Sequence, residues 1–262
     1  MKNEIIILLP AYNEELNIET MVRSWESLRK PLQDNYGLAL KITVINDGSK
    51  DRTEEICKSL SNQFKNFTFI SHPHNKGLGE ALKTGMLYIA KCPDCRFACV
   101  MDCDNTQDPK YIMSMLDKIG SNKKKLDYDV VIASRYRKGS SVQGVAKYRL
   151  LTSEGAKYVY STILNVKNVR DYTCGYRLYS AEIIQICNQK FGNDLIEESG
   201  FTCMAELLYK LHLVGARFSE VPFELRYDNK QGKSKMNVMK TAINSIKLAF
   251  HLRGLKNKKV NQ

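Results

Sequence analysis

Residues 41–64, KITVINDGSKDRTEEICKSLSNQF, set the architecture. Residues 41–46 form a β-branched run that reads as a strand, Asp47-Gly48-Ser49 is a turn, and Asp51-Arg52-Thr53 opens a helix that reaches about Phe64. The same unit recurs on either side. Ile5-Ile6-Ile7-Leu8-Leu9 is a continuous apolar run, as in a strand buried on both faces; Pro10 ends it, and a helical pattern covers 17–28. Further strands are predicted over 67–71, 97–101 and 129–134. Helices are predicted over 79–90 and from Asp108-Pro109, where proline takes the first turn. Repeated strand–turn–helix units predict an α/β fold with a mostly parallel central sheet, covered on both faces and joined by right-handed crossovers. Such sheets bind ligands beyond the carboxyl ends of their strands. The polar clusters that follow the strands, Asn13-Glu14, Asp47, and Asp102 with Asp104, are therefore predicted to meet in one cleft.

The second half is less regular. It reads as a Tyr- and Leu-rich helix over 147–165, a loop over 171–175, helices near 181–188 and 203–214, a strand near 217–226, and a last amphipathic helix over 238–252. A basic tail, 253–262, is expected to fray.

Composition bounds the function. With 43% hydrophobic and 26% charged residues among 262, the chain has the makings of a packed core, which excludes disorder as its main description. Forty basic against 28 acidic residues give +12, a surplus that suits phosphorylated metabolites, an acidic membrane surface or nucleic acid. No basic stripe interleaved with aromatics supports nucleic acid as a partner. No run reaches the roughly 18 apolar residues of a spanning helix. The opening MKNEIIILLPAYNEE lacks the pattern of a signal peptide. A cytoplasmic protein is expected, with its eight cysteines as reduced thiols.

The sharpest chemical signal is Met101-Asp102-Cys103-Asp104. Two carboxylates this close repel unless a cation joins them, and a hard divalent ion would take oxygens from both while leaving positions for phosphate oxygens. The plainer alternative is a solvated turn, but the pair sits where an open sheet places its site. Asp47 can accept the ring N–H of uracil or guanine, or simply build a turn. Tyr12, in Pro10-Ala11-Tyr12-Asn13-Glu14, can stack on a base or belong to a polar loop. Cys92, Cys95, Cys99 and Cys103 invite a zinc reading. However, Cys99, Met101 and Cys103 alternate along a strand, which makes those thiols core residues. The four histidines, His72, His74, His212 and His251, show no ligand spacing.

Together, PAYNE (10–14), NDGSKD (46–51), NKGLGEAL (75–82), MDCDNTQDP (101–109) and SRY (134–136), in this order, resemble the family-2 inverting glycosyltransferases. DYTCGYRLYS (171–180), GFTCMAELLYK (200–210) and EVPFELRYDNKQGKSKM (220–236) are similar to the dolichyl-phosphate (polyprenyl-phosphate) mannosyltransferase branch. The resemblance implies a single GT-A-type, Rossmann-like domain over 1–240, then a C-terminal amphipathic helix and basic tail over 241–262. It implies inverting transfer from a nucleotide sugar, GDP-mannose or a UDP-hexose, to polyprenyl or dolichyl phosphate, with Mg2+ or Mn2+. By the same resemblance Pro10, Tyr12 and Glu14 surround the nucleoside, and Ile45 and Asp47 contact the base. Asp102, Cys103 and Asp104 hold metal and diphosphate, with Thr106 and Gln107 at the third-ligand position. Arg135 faces phosphate, as does Arg149 in the following helix, and Lys235 lies near the diphosphate. The sequence departs from the family at Cys103, where alanine is common, and at Asn229-Lys230, where an arginine is common.

Two other functions stay open at this point. One is transfer to a saccharide hydroxyl, which needs a carboxylate base: Asp171, Glu197, Glu198 or Glu206, the last read by default as a helix-surface residue. The other is nucleotide binding without catalysis. Lys123–Lys125, the tail lysines and the 147–165 helix are candidates for peripheral contact with a membrane; the helix can equally pack on the sheet or form a dimer contact.

Overall fold

The computed structural model describes residues 2–145, 147–229 and 238–260, without the side chains of 147–152, 238–240, 242 and 256–260. In chain order the elements are β1 (Glu4–Ala11), α1 (Ile18–Ser27), α2 (Arg29–Tyr36), β2 (Ala39–Asn46), α3 (Thr53–Gln63), β3 (Phe67–Ser71), α4 (Leu78–Ala90), β4 (Cys95–Val100) and α5 (Ile112–Ile119). There follow β5 (Val130–Ser134), β6 (Ser141–Gln143), α6 (Lys147–Ile163), β7 (Arg177–Ser180), α7 (Ala181–Phe191), α8 (Cys203–Leu213), β8 (Phe218–Pro222), β9 (Glu224–Arg226) and α9 (Val238–Val260).

Seven strands form one sheet in the order β3-β2-β1-β4-β7-β5-β8. Every neighbouring pair is parallel except those that β7 makes, antiparallel, with β4 and β5. A parallel pair, β6 with β9, stands apart. The α/β expectation holds, and the sheet order fixes the site. The loops after β2 and β5 flank the loop after β4, and β7, running backwards, delivers the residues before it to that same edge.

Several details differ from the sequence reading. Pro10 lies inside β1 rather than ending it. Ala11 O accepts from Asp47 on the β2 side, so by strand alternation Pro10 faces the β4 side, where pairing has already stopped at Leu8↔Val100 and no N–H is required. Residues 217–226 make two strands, since Pro222 ends β8 and the chain then joins β6. The segment 253–260 continues α9 instead of fraying. β7 has no counterpart in the sequence reading, because its four residues run straight into α7, capped by the Ser180 hydroxyl accepting from Ile183 N.

The central strands are buried on both faces: Ile5–Leu9 of β1 and Phe97–Cys99 of β4 are fully inaccessible. Gly85 lets α4 settle on β1, because a Cβ there would stand 2.2 Å from Leu8 Cδ2. Gly85→Ala is therefore predicted to destabilise by about 1–3 kcal/mol through overpacking, less the fraction that better helix propensity returns. The check is a lower urea midpoint with unchanged slope.

Candidate active site

A cavity of about 750 Å3 opens at the carboxyl edge of the sheet. Pro10, Tyr12, Glu14, Asp47, Asp102, Cys103, Asp104, Thr106, Gln107 and Arg135 all line it, so the clusters after β1, β2 and β4 do converge. Ile45 does not join them; it is fully buried in β2, which the fold covers on both faces. Arg149 falls on α6 with its side chain outside the described residues, and Lys235 lies outside them altogether.

Asp47 is 2% exposed and takes two donors on each carboxylate oxygen. Oδ1 lies 2.7 Å from His72 Nδ1 and 3.0 Å from Lys76 N; Oδ2 lies 2.9 Å from both Asn75 Nδ2 and Gly77 N. A carboxylate offers about four such positions, so Asp47 here organises the loop before α4. His72 continues the chain through Nε2 to Thr84 Oγ1 at 2.9 Å. Spacing rules for metal or triad histidines had no means of finding this contact. The neighbouring backbones are tight: a Cβ on Gly48 would reach 2.2 Å from His74 C, and Gly48 has φ +64°.

The acidic pair is held from behind. Gln107 Nε2 donates to Asp102 Oδ2 at 2.8 Å, and its Oε1 accepts from Asp102 N at 3.3 Å. Thr106 Oγ1 and N both donate to Asp104 Oδ1, at 2.6 and 3.2 Å. Thr106 and Gln107 are themselves buried, and in this arrangement they orient the carboxylates. Gly175, just before β7, makes room: a Cβ there would stand 2.9 Å from Asp102 Oδ1.

The donor chemistry fits a hard divalent cation. Among the described lining residues five are carboxylic acids, Glu14, Asp47, Asp102, Asp104 and Glu154, and Arg135 is the one lysine or arginine. Among these described residues the acids outnumber the cation, a balance that a divalent ion entering with an anionic ligand would offset. No three His, Cys, Asp or Glu side chains gather as a metal cage among the described residues. Asp102 and Asp104 are the carboxylates that would hold such an ion, with the remaining positions left to phosphate and water. Thiolates are poor candidates. Burial pushes Cys103 well above the ordinary thiol range, and Cys95 and Cys174 up to about 12.

Arg135 is not solitary. Asp171, fully buried, accepts from Arg135 Nε at 2.8 Å, Nη2 at 2.6 Å and N at 3.1 Å. Burial raises the Asp171 pKa, but the guanidinium charge and these hydrogen bonds outweigh it and hold the carboxyl below its usual range. Glu206, expected on a helix surface, is 2% exposed instead. Its carboxylate accepts from Glu197 N and Glu198 N and pairs at 2.6 Å with Lys210, itself 1% exposed.

A dolichyl-phosphate beta-glucosyltransferase of Trichomonas vaginalis is 26% identical over 94% of this chain and 73% of its own length. A dolichol-phosphate mannosyltransferase of Pyrococcus furiosus is 29% identical over 89% of this chain, which spans 59% of that protein. Among solved structures, glucosyl-3-phosphoglycerate synthase from Mycobacterium tuberculosis, bound to Mn2+ and UDP-glucose, superposes with a TM-score of 0.66 at 18% identity. The match covers 96% of this chain and 79% of that one, and it establishes the GT-A fold. The sequence profile described as Glycosyl transferase family 2 matches residues 6–186, and the chain belongs to that family.

Proposed function

We propose that this protein transfers a hexosyl group, with inversion, from a nucleotide sugar to a polyprenyl phosphate at the cytoplasmic face of a membrane. The observation that carries the reading is the meeting of Asp102 and Asp104 with Asp47 and Arg135 in one cavity, in a chain whose relatives are named for dolichyl-phosphate glycosyl transfer.

Each residue then has a task. Pro10, Tyr12 and the loop organised by Asp47 seat the nucleoside. Asp102 and Asp104 would hold Mg2+ or Mn2+ together with diphosphate oxygens; when bound, the ion offsets the charge that grows on the departing nucleoside diphosphate. Arg135 adds a fixed positive charge on the side opposite Asp47. Val142, Val145, Phe201, Phe223 and Leu225 supply an apolar wall to the same cavity, which limits water near the anomeric carbon and suits the first isoprene units. Holding the acceptor behind that carbon gives in-line attack.

The acceptor follows from what the acids are doing. None of Asp171, Glu197, Glu198 and Glu206 is among the described lining residues. Asp171 is tied to Arg135, Glu197 and Glu206 to Lys210, and Glu198 to Thr202. A sugar hydroxyl would need a carboxylate base, and these four are not placed to serve, whereas a lipid phosphate is already anionic and needs none.

Membrane contact is assigned to α9. Ser245, Leu248, Ala249 and Leu252 are buried against the body, while Ile243, Ile246 and Phe250 are exposed at helical spacing beside exposed Lys247 and Arg253. An apolar stripe edged by cations suits an anionic bilayer surface. Among the described residues no helix is long and apolar enough to cross a membrane.

Two outcomes are expected. With radiolabelled UDP- and GDP-hexoses plus Mn2+, label passes into the organic phase only when polyprenyl phosphate is present, and Asp104→Ala reduces this at least about 10²-fold; label retained in aqueous saccharide would reject the lipid acceptor. Ile246→Glu with Phe250→Glu lowers sedimentation with phosphatidylserine vesicles and turnover of vesicle-borne acceptor, but leaves turnover of a detergent-dissolved short-chain acceptor unchanged.

A further inference from the structure

Asp171 lies at the centre of a buried charge network that the proposed transfer chemistry does not itself require. Five donors converge on its carboxylate: Arg135 N, Nε and Nη2, together with Thr173 N at 3.3 Å and Cys174 N at 3.0 Å. Arg135 Nη2 also donates to Thr173 Oγ1 at 2.7 Å. The backbone that carries Asp171 is fixed in turn. Glu220 Oε1, on β8, accepts from Arg170 N and Asp171 N, both at 2.7 Å. Glu220 Oε2 lies 2.7 Å from Arg137 Nε, an ion pair off the axis of a hydrogen bond, and the Glu220 side chain is fully buried.

The consequence is directional. With Nε and Nη2 both committed, the guanidinium plane cannot turn, and Nη1 makes no hydrogen bond among the described residues while Arg135 lines the cavity. A guanidinium locked on one edge presents its other edge to an anion without further loss of side-chain freedom. Resting on the function proposed above, we infer that Asp171, backed by Glu220, is the positioning residue that aims Arg135 Nη1 at a phosphate oxygen of the bound substrates, and that it takes no part in proton transfer.

The test is a double-mutant cycle on transfer to detergent-dissolved polyprenyl phosphate, with Mn2+-dependent binding of UDP and GDP measured on the same variants. Arg135→Lys and Asp171→Asn are each expected to cut kcat/KM about 10²-fold, while the double variant is no more than threefold below the worse single, about 3-fold being the limit for residues acting as a unit. Glu220→Gln, which keeps an acceptor for the two backbone N–H groups, restores most of what Glu220→Ala loses. Wild-type pH–rate limbs persist in Asp171→Asn. Multiplicative losses in the cycle, or a vanished acidic limb in Asp171→Asn, would overturn the inference. If Asp171→Asn melts below the assay temperature, the Glu220→Ala and Arg135→Lys cycle is read by the same criterion. Wild type that binds nucleotide but transfers nothing to polyprenyl phosphate would refute the acceptor reading instead, and the cycle is then decided on nucleotide affinity alone.

Discussion

The gathering of four carboxylates at one edge of a sheet is the constraint on which the site depends. Parallel strands β1, β2 and β4 end side by side and bring Glu14, Asp47, Asp102 and Asp104 to a single cavity. Concentrating that much negative charge is costly. The protein disperses part of it internally: Asp47 is surrounded by four donors, Asp104 by Thr106, and Asp102 by Gln107. What it does not supply, among the described residues, is a set of lysines or arginines facing the same space. Under the function proposed above, a diphosphate and a divalent cation would enter such a cavity together, each making room for the other.

The antiparallel strand β7 completes the arrangement. In a purely parallel sheet the Asp171–Gly175 loop would leave from the opposite edge. Because β7 runs backwards between β4 and β5, that loop returns to the cavity. There Asp171 grips Arg135, and Gly175 lies close enough to Asp102 that a larger residue would press on its carboxylate. One reversed strand of four residues thus links the acidic side of the site to its cation.

Much of this was legible in the chain. Apolar runs bounded by turn residues gave the parallel strands, and strand ends followed by acids located the cavity, because both signals are local. Signals that depend on distant partners were not legible. Glu206 occupies a position that looks like a helix surface, yet Lys210 one turn later and the backbone of Glu197 and Glu198 make it interior. His72 has no motif, and its role comes from Asp47, 25 residues away. Ile45 matched a family position, but in this fold the two-sided cover of β2 takes it into the core.

Reciprocal binding of cation and nucleoside diphosphate tests the account most directly, since two ligands that relieve each other's repulsion must each tighten the other by the same factor. Electron paramagnetic resonance titration of Mn2+ into the protein, with and without saturating UDP or GDP, measures it. The account predicts weak Mn2+ binding alone and binding at least about tenfold tighter with the nucleotide, about 1.4 kcal/mol of coupling. Nucleotide affinity that is the same in EDTA as in Mn2+ would contradict it.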